Sequence, residues 1–361
     1  MKRSRWLAVA LAGGATGVAL TSPLGAAASS KAAANPCVVA NNVVFIIDDS
    51  GSMAGTDPSH DFLSGKDITP LRVQAMQLEI KRDSNNAKSF AAVEFGDDAD
   101  LLFGPENVAT NRTAMLGSLA KLQADNGTTN YNAAFALANS TFPNAQARVF
   151  FTDGGHNGGL NGDAYDNSHL GGGKPPTYVV GFGTSAASPD DAARLQQIAT
   201  DTGGQYFAQT SSSKLVSVMN QIDNIFNCTS ATVVTMNNVF TKPQQKKALG
   251  YTIPGGKKAA DLVTTFGSGS QFSISNIVET VHGKVIARYN PTITSARAKK
   301  HRVKKLKVKK QTGGSFINLH ISGLKPHAKL KFTLKALALG TSTDPANPAG
   351  ATTTQITPTK T

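Results

Sequence analysis

The sequence predicts an α/β fold, a doubly wound and mostly parallel sheet, followed by a smaller all-β sandwich domain. Up to residue 228, short apolar runs alternate with segments of helical periodicity. After residue 229, apolar residues recur at every second position without helical segments. The charge changes sign at the same place: residues 37–228 hold 11 Lys and Arg against 20 Asp and Glu, and residues 229–361 hold 21 against 3. This asymmetry indicates two domains.

In the first region, the predicted strands are apolar runs that an Asp or a Gly ends. They cover residues 43–47, 89–95, 147–153 and 177–183, with an edge strand at 203–208. The predicted helices cover residues 71–80, 115–122, 131–140, 194–200 and 214–226. Because doubly wound sheets bind ligands at the carboxyl ends of their strands, we expect the functional loops at that edge.

In the second region, the segment HAKLKFTLKA alternates strictly between two faces. Leu330, Phe332 and Leu334 fall on one face, and lysines and a threonine fall on the other. This period predicts a basic β-sandwich domain over residues 229–340. The Thr- and Pro-rich tail, residues 341–361, has little to bury and is predicted to be disordered.

The amino terminus is typical of a secretory signal peptide. A basic start is followed by an apolar run, and Ala26-Ala27-Ala28 offers a small-residue cleavage site. We therefore predict a signal peptide over residues 1–28 and a linker over residues 29–36, and a secreted, extracellular or cell-surface protein. An uncleaved membrane anchor is the alternative, which the short, glycine-interrupted apolar run disfavours.

The two cysteines of the chain, Cys37 and Cys228, flank the first region. In an oxidising compartment we expect them to pair and to join its two ends. Two free, unrelated thiols are the alternative.

The first predicted strand ends in Asp48-Asp49-Ser50-Gly51-Ser52, where alternate positions present three oxygen-bearing side chains. Carboxylate and hydroxyl oxygens are hard ligands that suit Mg²⁺, Mn²⁺ or Ca²⁺. The alternative is a solvated strand end with a helix N-cap. Thr129, just before a helix, and Asp153, at the end of another buried strand, would reach the same edge of the sheet and favour a metal site.

Residues 42–226 resemble the von Willebrand factor type A domain. The segments FIIDDSGSM, GTTNYNAA and VFFTDGG match its motifs, and the later strands and helices follow in the family's order. The resemblance implies a metal-ion-dependent adhesion site. Ser50 and Ser52 would bind the cation, Mg²⁺ or else Mn²⁺ or Ca²⁺, directly. Thr129 would bind directly or through water, and Asp48 and Asp153 mostly through bound water. The second region is only faintly similar to the β-sandwich that often follows such domains.

Two residues beside these motifs were considered separately. Asp49 is expected to point across the strand and to be structural. His156, in the loop after Asp153, is expected to be a solvated loop histidine, with ligand contact as the alternative.

The segment at residues 296–310 is strongly basic and contains no aromatic residue. It predicts a polyanion-binding site, for wall teichoic acids, acidic glycans or DNA, with part of the segment forming an edge strand. A solvated, aggregation-resistant loop is the alternative. The candidate residues are Lys299, Lys300, Arg302, Lys304, Lys305, Lys307, Lys309 and Lys310.

Together, these features predict a secreted or surface-associated protein that binds a protein ligand through a divalent cation. The ligand would present an acidic residue, and the mature chain would have no membrane span. The alternatives are a structural envelope protein that its basic domain anchors to polyanions, or a hydrolase. We do not expect an enzyme, because the sequence lacks the G-x-S-x-G and H-E-x-x-H motifs.

Overall fold

The structure is a computed structural model. It describes residues 39–54, 71–82, 88–122, 126–170, 173, 175–182, 189–209, 212–228, 233–266, 270–289, 304–312, 316–340 and 350–359. The predicted signal peptide and linker lie outside these residues. Among the helices of the described part, none is long and apolar enough to cross a bilayer.

The first region is built on a six-stranded sheet in the order β3-β2-β1-β4-β5-β6. Its strands are β1 (Asn42–Asp48), β2 (Ser89–Phe95), β3 (Ala99–Asn107), β4 (Ala147–Thr152), β5 (Thr177–Phe182) and β6 (Gln205–Gln209). All neighbours are parallel except β2 and β3. The mostly parallel sheet is confirmed, whereas β3, the antiparallel edge strand, was not predicted.

Helices cover both faces of this sheet. They are α1 (Leu71–Arg82), α2 (Val108–Ser118), α3 (Tyr131–Thr141), α4 (Pro189–Asp201) and α5 (Ser212–Phe226). Val43, Phe45 and Ile47 of β1 pack with α1, α2 and α5. Val44 and Ile46 pack on the opposite face with α3 and α4. Because both faces are buried, β1 reads as a continuous apolar run rather than an alternating one.

The second region forms two predominantly antiparallel sheets of five strands each. The inner sheet, in the order β13-β14-β9-β16-β7, consists of β13 (Lys307–Thr312), β14 (Phe316–Ser322), β9 (Ala259–Phe266), β16 (Ala351–Thr359) and β7 (Val234–Val239). The outer sheet, in the order β12-β11-β10-β15-β8, consists of β12 (Lys304–Lys305), β11 (Lys284–Tyr289), β10 (Gln271–Val281), β15 (Lys329–Ala338) and β8 (Lys246–Thr252). One apolar cluster lies between them and includes Leu330, Phe332 and Leu334. The prediction of an α/β part followed by an all-β part is therefore confirmed.

The predicted disorder of the tail is wrong for residues 351–359. This segment is β16, and it pairs with β9 on one side and with β7 on the other. Thr352, Thr354 and Thr357 are buried, and the hydroxyl groups of Thr354 and Thr264 lie 2.9 Å apart. Polar residues can fill an inner strand when their hydroxyl groups are paired in this way.

The inner sheet also packs against α1 and α5 of the first region. The Asn220 amide on α5 donates to the Gln355 side chain of β16 at 3.0 Å. Beside it lies a small, fully buried apolar cluster of Leu78, Val263 and Phe316. The described residues from Val39 onward thus belong to one compact unit, and the boundary at residue 228 stays a prediction.

Cys37 lies outside the described residues, so the Cys37–Cys228 disulfide stays a prediction. The neighbouring backbone favours it, because the Ala40 amide donates to the Phe226 carbonyl at 3.2 Å. The segment that follows Cys37 therefore lies against the end of the helix that precedes Cys228.

Deleting residues 351–361 should destabilise the second region, because the deletion removes the strand between β9 and β7. Limited proteolysis and urea unfolding would measure the effect. A control chain that lacks only Lys360 and Thr361 should behave like the intact protein. An unchanged unfolding midpoint in the longer deletion would show that β16 contributes nothing to stability.

Iodoacetamide should leave both cysteines of the denatured, unreduced protein unmodified and should modify both after reduction. Reduction should also lower the free energy of unfolding, by at most about 5 kcal/mol in the chain-entropy model for so long a loop. Mass spectrometry and urea unfolding give the two readouts. Modification of both thiols without reductant would contradict the pairing.

Candidate metal centre

The turn after β1 gathers the first three predicted ligands. Asp48 is fully buried at the end of the strand, and the chain then turns through a short 3₁₀ helix, Gly51–Ala54. The Ser50 hydroxyl donates to Asp48 Oδ1 at 2.6 Å, and the Ser50 amide donates to the same oxygen at 2.9 Å. Ser52 Oγ lies 3.1 Å from Ser50 Oγ. The alternating pattern therefore places its three oxygen-bearing side chains together.

The end of β4 brings the second carboxylate to this turn. The Ser52 hydroxyl donates to Asp153 Oδ1 at 2.9 Å, and the Thr152 hydroxyl donates to Asp48 Oδ2 at 2.7 Å. β1 and β4 are neighbours, and the chain runs outward from β1 to β2 and β3 before it returns to β4. The cluster thus lies at the point where the strand order reverses, the usual ligand position in such sheets.

Backbone hydrogen bonds hold the loop of Thr129 between these two turns. The Gly51 amide donates to the Gly127 carbonyl at 2.8 Å. The Thr129 amide donates to Asn157 Oδ1 at 2.6 Å, and the Asn157 amide donates to the Thr129 carbonyl at 3.0 Å. Thr129 is 5% exposed. The three loops therefore meet. Side-chain hydrogen bonds join Asp48, Ser50, Ser52 and Asp153 in a chain. Within the described residues, no such bond joins Thr129 to them.

Two residues that support the Thr129 loop were missed. Asp97 accepts hydrogen bonds from the Thr128 amide at 2.7 Å and the Thr128 hydroxyl at 2.6 Å, which lower the pKa of its carboxyl. Asn157 forms two hydrogen bonds with the backbone of Thr129, as described above. Asp97 lies in the turn between β2 and β3, so recognising the β2–β3 hairpin would have drawn attention to it. We find no sequence signal for Asn157.

Asp49 has the structural role that was predicted. Arg72 of α1 donates from Nη2 to Asp49 Oδ1 at 2.6 Å, and both side chains are buried. The ion pair ties the start of α1 to the turn after β1. Asp49 therefore points away from the cluster of its neighbours.

His156 is not the solvated histidine that was predicted. Its Nδ1 accepts from the Tyr131 amide at 3.0 Å, and its Nε2 lies 2.7 Å from the Asp163 carbonyl. Nε2 must carry the proton, because a carbonyl oxygen can only accept. Partial burial lowers the pKa of the ring and favours this neutral form. His156 thus stabilises the loop after Asp153. Both of its ring nitrogens are engaged, so neither is available to a ligand.

The electrostatics of the cluster favour a bound cation. Burial, the largest cause, and the charge of Asp153, the second, raise the pKa of Asp48 to about 7. The hydrogen bonds from Ser50 and Thr152 act in the opposite direction and lower it. Two buried carboxylates that repel each other are stabilised by a divalent ion. Among the described residues, no three His, Cys, Asp or Glu side chains form a metal-binding group. The donors here are two carboxylates and three hydroxyls, a set that fits a hard cation such as Mg²⁺.

Residues 43–156 match the family model of the von Willebrand factor type A domain. No curated protein matches the sequence. Three of the solved structures with similar folds are a von Willebrand factor type A protein from Catenulispora acidiphila, proximal thread matrix protein 1 from the mussel byssus with a zinc-occupied MIDAS motif, and the PilB minor pilin from Streptococcus sanguinis.

The three are 15%, 16% and 14% identical to this chain, with TM-scores of 0.41, 0.38 and 0.38. The alignments cover 83%, 55% and 51% of this chain and 59%, 50% and 60% of the respective structures. This chain therefore spans half to three-fifths of their length.

Mg²⁺ should raise the melting temperature of the intact protein at pH 8. At a concentration of 100 times Kd the gain is about 2.7 kcal/mol, or roughly 4 °C for the compact unit Cys37–Thr361. The shift should shrink at pH 5.5, because Asp48, with a pKa raised to about 7, then holds a proton that the ion must displace. Differential scanning calorimetry measures both.

Ser52→Ala is the informative variant, because it removes the hydroxyl between Ser50 and Asp153 without changing charge. Ser168→Ala, in an exposed turn, is the matched control. Equal Mg²⁺ shifts in both variants would contradict a metal site at this cluster.

Proposed function

We propose that this chain, whose residues 43–156 match the von Willebrand factor type A domain, binds a protein partner through a divalent cation. Mg²⁺ is the ion that the donors suit best, with Mn²⁺ or Ca²⁺ as substitutes. The partner would present an Asp or Glu carboxylate. One observation carries the proposal: the Ser50 and Ser52 hydroxyls lie in contact between the buried carboxylates Asp48 and Asp153.

The hydroxyl and carboxylate side chains would hold the ion in different ways. The hydroxyls of Ser50, Ser52 and Thr129 are neutral, so they would bind the ion without cancelling its charge. Asp48 and Asp153 accept hydrogen bonds from the hydroxyls of Ser50 and Ser52, which orients the lone pairs of the hydroxyl oxygens. When bound, the ion would supply a positive charge that a partner's carboxylate can reach.

The loops around the cluster are built for binding without rearrangement. Asn157 fixes Thr129, His156 fixes the loop after Asp153, and Arg72 fixes the turn after β1. A preformed site loses less conformational entropy when a partner binds. His156 has both nitrogens engaged, so it is not available as a general base for a serine nucleophile, which favours binding over hydrolysis.

The place of action is also part of the proposal. We propose a secreted or surface-associated protein, on the basis of the amino-terminal signal-like segment and the two cysteines, Cys37 and Cys228, that flank the first region. A metal-bridged contact to an acidic side chain suits that setting, because extracellular divalent ions are abundant there.

Immobilised full-length protein should retain a partner from extracellular material in Mg²⁺ and release it in EDTA. Ser50→Ala should abolish retention by removing one direct ligand, and Ser168→Ala should leave it unchanged. Thermal unfolding in EDTA would show that both variants are folded. Equal retention by the intact protein in Mg²⁺ and in excess EDTA would overturn the proposal.

A further inference from the structure

The outward face of the outer sheet is cationic. On β15, buried Leu330, Phe332 and Leu334 alternate with residues that point away from the apolar cluster. The outward residues are Lys329, Lys331, Thr333, Lys335 and, near the end of the strand, the exposed Leu337. We call this surface, together with its neighbours on β8, β10 and β11, the cationic face.

The strand register shows what surrounds these lysines. Lys335 lies opposite Lys246 of β8, and Lys331 lies opposite Gly250. On β10 their counterparts are Ser273 and Val278, and Val278 lies opposite Arg288 of β11. The remaining register partners on the two strands beside β15 are Ala248, Thr252, Ser275 and Thr280. None of these partners is acidic or aromatic.

The acidic residues of the second region do not balance this charge. Asp261 contacts His320 on the inner sheet at 2.8 Å. Glu279 is buried and accepts a hydrogen bond from the Lys325 amide. The third, Asp344, lies outside the described residues. Within the described part of the chain, Lys246, Lys329, Lys331, Lys335 and Arg288 form no ion pair.

Protection of a sheet edge does not explain this arrangement. Lysines commonly guard edge strands against pairing with other chains. β15, however, lies inside its sheet, between β10 and β8. Like charges directly across a strand pair, such as Lys335 and Lys246, also destabilise the sheet. A bound polyanion would offset that repulsion.

We propose that the cationic face binds a linear phosphodiester polymer of the poly(glycerol phosphate) type. Lysines at alternate positions of a strand are about 6.6–6.8 Å apart, so Lys329 and Lys331 offer regularly spaced charges to an extended chain. Ser273, Ser275 and Thr252 add hydroxyls that can donate to phosphate oxygens. The face has no aromatic side chain on which a nucleic-acid base could stack, which disfavours single-stranded nucleic acid.

The structure divides the predicted basic run, and of its described residues Lys305 lies opposite Arg288 of the cationic face. Lys304 and Lys305 form β12 at the edge of the outer sheet, so part of the run is an edge strand as predicted. Lys307, Lys309 and Lys310 are exposed on β13, at the edge of the inner sheet. Lys299, Lys300 and Arg302 lie outside the described residues. Binding by the run stays a rival prediction, and its β13 lysines let the experiment compare the two sites at equal charge.

The test compares two triple variants of the full-length protein. K329Q/K331Q/K335Q removes three charges from the cationic face, and K307Q/K309Q/K310Q removes three from β13. Binding to poly(glycerol phosphate) is measured over a range of salt concentrations in EDTA, so that failure of the metal site does not affect the result. Duplex DNA and oligothymidylate with matched numbers of phosphates serve as comparison probes, and thermal unfolding confirms that both variants fold.

We expect the cationic-face variant to bind the polymer at least 10-fold more weakly. Its slope of log K against log salt should be shallower by about 2, at roughly 0.7–0.9 for each lost phosphate contact. The β13 variant should lose less than 3-fold. An equal or larger loss in the β13 variant would overturn the assignment of the site. Tighter binding of either nucleic acid by the intact protein would overturn the class of partner.

Discussion

The burial of two carboxylates at the ends of adjacent strands is the constraint on which the candidate metal centre depends. Asp48 and Asp153 are withdrawn from water, and each accepts a hydrogen bond from a serine in the turn after β1. Without those donors, the repulsion and desolvation of two anions would oppose folding of the sheet edge. The surrounding turns, tied to each other through Gly51, Gly127 and Asn157, keep the donors in place.

Much of the fold and most of the candidate site could be predicted from sequence, because the signals are local. The apolar run of β1 followed by Asp48, Ser50 and Ser52 contains both the strand and the predicted ligands within a few residues. Asp153 likewise follows its strand directly. The contacts that join these segments are not local, and the parallel sheet that brings them together was predicted from the alternation of strands and helices.

The strands β3 and β16 were not predicted, because their local composition is typical of loops and only tertiary contacts make them strands. β3 is an edge strand with exposed positions and contains both Gly104 and Pro105, so its sequence resembles a loop. β16 is rich in threonine and contains Pro358, a composition typical of disorder, yet its neighbours β9 and β7 bury it. Asn157 and His156 each act through two hydrogen bonds across loops, which no periodicity reveals.

The position of β16 in the inner sheet has a consequence for biosynthesis. β9 and β7 are made well before β16, the strand that separates them, and neither can complete its ladder until β16 emerges. In the meantime the nascent chain exposes two open edges that could pair with other molecules. These edges stay open until residues 351–359 have been made.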